Sequence, residues 1–152
     1  MEITPYQLAS RFIGLKEVSG NTSNPQILAM LKLDNTWPTD DSVPWCSAFL
    51  NFIFWLPKLS RSKSLLARSW LEVGEATTLT NAKVGHDVVI LKRGIEPQPD
   101  ATVINAPGHV GLFSGYINTT NKVALLAGNQ NDMVSVQLFD ISKILGIRRI
   151  LQ

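Results

Sequence analysis

Between Pro44 and Pro57 the chain carries Cys46, Phe49, Leu50, Phe52, Ile53, Phe54 and Leu56, a stretch that is apolar on nearly every side of a helix. Such a helix has no face to give to water, so the rest of the chain must be arranged around it as a core. Pro44 suits a first turn, where a missing N–H costs nothing, and Pro57 stops the helix. The run is well short of the ~20 residues that cross a bilayer, so no stable membrane insertion is expected.

Helices precede strands. Thr4-Pro5-Tyr6-Gln7 combines a hydroxyl cap, an early proline and a Gln three residues after the cap, which predicts a helix with Leu8, Phe12 and Leu15 on one face. A second helix is expected from Asn24-Pro25 to about Leu33, and the polar segment Asn35 to Val43 reads as a loop. Leu65 to Gly74 suits another helix or turn. From Asp87 the pattern changes to β-branched runs at Val88-Val89-Ile90, Val110 to Phe113, Val123 to Leu126 and Val134 to Leu138, with hairpin loops at Asn118 to Asn121 and Asn129 to Asp132. Asp140 is a cap for a short helix ending at Gly146, and Ile147 to Leu151 a last strand. The expected fold is therefore α+β, a papain-like core in which N-terminal helices lead to a helix packed on an antiparallel sheet of about five strands. No repeat or second domain is visible, and residues 1–152 read as one catalytic domain. Pro97 to Pro107 reads as a mobile loop beside the strand that follows it.

Cys46 is the chain's one cysteine and opens the apolar helix, while Gly108-His109-Val110-Gly111 heads a later strand. A thiolate is the reactive form of cysteine, and helix N-termini favour it because their unpaired N–H groups and macrodipole attract negative charge. With a histidine as base the pair reads as a thiol hydrolase, in which Cys46 attacks an amide carbonyl and His109 takes and returns the proton. Without His109, burial as a small hydrophobe would be the simpler account of this cysteine.

These motifs resemble those of the NlpC/P60 and CHAP-type cysteine peptidoglycan hydrolases. Cys46-Ser47-Ala48-Phe49-Leu50 is similar to the start of their catalytic helix, Gly108-His109-Val110-Gly111-Leu112-Phe113 to their histidine strand, and Val84-Gly85-His86-Asp87-Val88-Val89-Ile90-Leu91 to the strand between. Glu17 to Gly20, Asn24-Pro25-Gln26-Ile27, Pro44-Trp45-Cys46, Ala67-Arg68-Ser69-Trp70-Leu71 and Gly128-Asn129-Gln130 resemble most a small phage-associated, endolysin-like CHAP group. His86 interrupts the usual Gly-Asp pair, and Trp45 stands where NlpC/P60 sequences usually carry Asp.

The resemblance implies hydrolysis of an amide bond in bacterial peptidoglycan by a monomeric amidase or endopeptidase, two activities that share the dyad and differ mainly in groove contacts. It also implies a third polar residue, at Asn129, whose amide oxygen would orient His109; a plain turn role suits Asn129 equally, and Gln130, Asn131 and Asp132 are substitutes. Trp45 and Trp70 are candidates to line the substrate groove, or else core residues. Glu17 and Asp41, motif positions in the resemblance, and Gln130 are further substrate-binding candidates. Cys46's own N–H is one oxyanion donor, and Asp40, six residues earlier, cannot donate as a carboxylate.

No cofactor or metal is expected. Cys46, His86 and His109 would together form a sulfur and nitrogen zinc set, which leaves a zinc-dependent amidase as the alternative, along with a silent wall-binding domain of the same fold. A net charge of +2 with scattered basic residues gives no reason to expect nucleic acid. Met1 to Pro5 has neither the basic start nor the apolar segment of a signal peptide, so the expectation is a product made in the cytoplasm that reaches the wall after release.

Overall fold

The computed structural model of the chain describes residues 1–20 and 22–152. Helix α1 spans Pro5–Ser10, and its entry is the reciprocal cap expected of its sequence: Gln7 N donates to Thr4 Oγ1 (3.2 Å) and Thr4 N to Gln7 Oε1 (2.9 Å). Helix α2 spans Pro25–Leu31, two residues shorter than expected, with the Asn24 carboxamide accepting from Gln26 N and Ile27 N. Helix α3 spans Cys46–Trp55 and is buried along most of its length. A 3-10 helix covers Ala67–Glu72, where the sequence left helix and turn open.

Among the described residues six strands follow: β1 (Glu75–Thr77), β2 (Asp87–Lys92), β3 (Gly108–Ile117), β4 (Lys122–Gln130), β5 (Met133–Asp140) and β6 (Ile144–Arg149). They form one antiparallel sheet in the order β1-β6-β2-β3-β4-β5. The short helix capped by Asp140 stops at Lys143 rather than Gly146, because Ile144 to Gly146 pair with β2 and are drawn into the last strand.

Alternation divides the strand residues between two cores. Val88, Ile90, Val110, Leu112 and Leu126 pack with Phe49, Leu50, Ile53 and Phe54 of α3. Val89, Leu91, Phe113, Val123 and Leu125 form a second cluster on the other face, covered by Phe139, Ile141 and Ile144. With α1 and α2 also against α3, the helix that no solvent face would suit is enclosed. At the end of the sheet near residues 92, 108 and 130, α3 begins, and the chemistry-bearing residues collect there.

Candidate active site

Cys46 lies in the first turn of α3, and Trp45 before it makes no side-chain cap, so the first N–H groups of the helix are not taken up by one. His109 is the second residue of β3, opposite Leu91, with its ring 5.4 Å from that of Phe139. Cys46 and His109 are 3% and 6% exposed, so their interaction is sheltered from water. Burial pushes the Cys46 thiol up, but hydrogen bonding and charge from His109, the Val110 N–H and nearby Arg93 together outweigh it, leaving the thiol below its ordinary pKa. For His109, burial pushes down, yet hydrogen bonding and charge from Cys46 and the bond to Gln130 raise the imidazole above its ordinary value. Both shifts favour a thiolate beside an imidazolium.

The side chain hydrogen-bonded to the imidazole is that of Gln130, where the sequence pointed first to Asn129. His109 Nε2 is 2.9 Å from Gln130 Oε1, and Gln130 is 4% exposed. Its Nε2 donates to the carbonyls of Ser135 (2.7 Å) and Leu125 (3.3 Å), which can only accept. That fixes which end of the amide faces His109: an oxygen, so the ring's Nε2 carries a hydrogen and Nδ1 is left for the thiol. The reason for the displacement is a β-bulge. Ala127 pairs with Ser135 and Gln130 with Met133, so β4 carries one extra residue, and Asn129 takes it up at φ 58°. The turn itself is Asn131-Asp132, both at positive φ as a two-residue hairpin demands. Asn129 is half-buried and lines the cavity beside His109 without bonding to it.

Cys46 and His109 line two different cavities. One, of about 420 Å³, has Cys46 in its wall and is otherwise largely apolar, with Trp37, Val43, Leu65, Leu66 and Pro107. The other, of about 220 Å³, is lined by His109 and Gln130 together with Lys92, Arg93 and Lys143. Arg93 borders both.

The expected groove aromatics are corrected by burial, since Trp45 and Trp70 are both 0% exposed and neither ring has a face for substrate. Trp45 packs so closely on β4 that a Cβ at Gly128 would come within 2.6 Å of its ring. Trp70 donates its N–H to Ser47 Oγ (2.9 Å), and Ser47 in turn donates to Ser64 O (2.6 Å), securing α3 from behind. The aromatic side chain in the wall of the Cys46 cavity is Trp37, 63% exposed. Its signal was an indole inside a polar loop, where no amphipathic face explains it.

Glu17 and Asp41 line neither the Cys46 cavity nor the His109 cavity. Glu17 Oε1 accepts the Trp45 indole N–H at 2.7 Å; burial, then Asp132, Asp41 and Asp40, push its carboxyl up against the lowering effect of that bond. Asp41 Oδ2 accepts from Val18 N (3.0 Å) and Asn24 N (2.8 Å), bracing the loop that precedes α2. Both line a separate recess with Asp40. His86 sits in the turn before β2, about 16 Å of strand from the level of His109 at ~3.3 Å per residue, so the Cys46, His86, His109 zinc set is not assembled.

Arg68 joins the site from outside the expected set. It is fully buried and donates to the carbonyls of Pro99, Asp100, Val103 and Pro107, pinning the segment read as a mobile loop. Gly108 is needed beside it, because a Cβ there would meet Arg68 Cγ at 2.9 Å. The pinned segment ends in Ala106 and Pro107, which wall the cavity of Cys46.

No family model matches the chain, and no curated protein does. Among solved structures it is similar to NlpC1 from Trichomonas vaginalis, at 16% identity and a TM-score of 0.55, over 97% of this chain and 44% of that one. The chain thus spans less than half the length of that protein, and the likeness shows the fold: an α+β, NlpC/P60-like core.

Proposed function

We propose that this chain is a cysteine hydrolase that cleaves an amide bond of bacterial peptidoglycan. The observation that carries the reading is the sheltered relay of Cys46, His109 and Gln130 at the start of α3, with both pKa directions favouring the charged pair. In the first half-reaction the Cys46 thiolate attacks the amide carbonyl, and negative charge develops on the carbonyl oxygen, where the N–H of Cys46 is available to it. The C–N bond then breaks as imidazolium gives its proton to the departing nitrogen, leaving an acyl group on Sγ as a thioester. In the second, His109 takes a proton from water, the resulting hydroxide attacks the thioester, and the thiolate is released.

Gln130 acts through His109, holding the ring so that Nδ1 faces the sulfur. Arg68 and Trp70 are positioning residues for the cleft wall and for α3. Their motif, and Gly128-Asn129-Gln130, belong to the resemblance to phage-associated CHAP-like proteins, and each has a task at this site, which supports a lysis enzyme of phage or prophage origin as the biological setting.

Mass spectrometry of purified sacculi digested by the wild type and by Cys46→Ala tests the reading. New amine and carboxylate termini at one amide position, absent from the Cys46→Ala digest, are the expected result, and the position separates a muramoyl amidase from a stem-peptide endopeptidase. Intact sacculi with the wild type, or the same products from folded Cys46→Ala, would overturn it.

A further inference from the structure

The cavity beside His109 has a composition that the hydrolytic chemistry alone does not require. Lys92, Arg93 and Lys143 line it, no acidic side chain among the described residues does, and apart from His109 the remaining polar wall consists of carboxamides from Asn129, Gln130, Asn131 and Gln137. None of the three cations forms a salt bridge among the described residues. Asp100 is within electrostatic range of Lys92, but its carboxylate is engaged by Thr102, with N and Oγ1 at 2.9 and 2.5 Å. The cavity of Cys46, by contrast, has Arg93 as its one charged side chain and is walled mainly by apolar groups.

The order of bond breaking says which part of a substrate each cavity receives. The acyl portion stays on Sγ and lies against the apolar wall. The amine portion receives its proton from His109 and must depart on the imidazole side, where the cations are. Resting on the thiol-hydrolase reading above, we propose that the recess formed by Lys92, Arg93 and Lys143 is a subsite for a carboxylate carried on the amine side of the cleaved bond.

Free cations around a partly enclosed recess attract a carboxylate more strongly than a carboxamide of the same shape, because charge-assisted hydrogen bonds exceed neutral ones. The exposure of Arg93 and Lys143 keeps the gain modest, about tenfold in affinity. It requires no movement of the catalytic pair, since Arg93 already borders both cavities.

The test uses a muramyl tripeptide with free stem carboxylates and the same molecule with each converted to a carboxamide. Calorimetric binding of both to Cys46→Ala should favour the free acid about tenfold, and adding Arg93→Gln and Lys143→Gln should reduce that preference to about twofold or less. Equal binding of the two peptides would overturn the subsite. Cleavage by the wild type separates this proposal from the one beneath it. Equal kcat/KM for acid and amide leaves the thiol chemistry standing and removes the subsite, whereas a preference dependent on Arg93 and Lys143 with neither peptide cleaved keeps the anion site and removes the hydrolase reading.

Discussion

Strand β2 starts at one charge and ends at others, and its two ends treat them differently. At its start Asp87, 1% exposed, is held by Arg149 through Nε and Nη2 at 2.8 and 2.7 Å, and also accepts from Lys83 N at 2.7 Å. At its end, Lys92 and the following Arg93 face a cavity and form no salt bridge among the described residues. A buried charge with its partner in place ties β2 to β6 and belongs to the scaffold. Charges without partners, next to a thiol and an imidazole, are what a ligand can use. Changes at the two ends should therefore separate stability from turnover.

The largest effect is expected at the site end. His109→Ala should lower the rate of sacculus digestion by about 10³-fold, the loss of general acid and base together, while the folded protein persists. Turnover within tenfold of the wild type would detach His109 from the chemistry. At the scaffold end, Arg149→Met leaves Asp87 buried without its cation and should cost about 3 kcal/mol in urea denaturation, with kcat of the folded fraction unchanged. A kcat loss there without a stability loss would erase the distinction between the ends.

A smaller effect sharpens the site end itself. Gln130→Ala should reduce turnover about 10- to 100-fold by freeing the imidazole, while Asn129→Ala should stay within about threefold. Gln130→Glu should not rescue, because a carboxylate would replace the amide donor that now faces the carbonyls of Leu125 and Ser135. The reverse order between positions 129 and 130 would return the orienting role to Asn129.

That last pair also marks how far the sequence could be read. The caps of α1 and α2, the buried α3 and the β-branched runs are local signals, and the structure follows them closely. Cys46 and His109 were legible because each sits in a short motif at the start of its element. Gln130 was visible as a substrate-binding candidate and a substitute for Asn129, since uninterrupted alternation from Leu125 and Ala127 leads to residue 129 and a single bulge moves the position by one. Strand β1 gave no pattern: Glu75–Thr77 is short and mainly exposed, and it becomes a strand by pairing with β6. The roles of Trp45 and Arg68 depend on contacts with β4 and with the 99–107 segment, which no local window contains.

A thiolate held by His109 can be measured without a substrate. The rate of Cys46 alkylation by iodoacetamide, followed against pH, reports the thiolate fraction. In the wild type the midpoint should lie below the ordinary thiol value of about 8.5, with reactivity lost only as pH falls through that depressed value. In His109→Ala the hydrogen bond and charge that lower it are gone while burial remains, so the midpoint should move up. A wild-type midpoint at or above the ordinary thiol value, unchanged by His109→Ala, would contradict the paired thiolate.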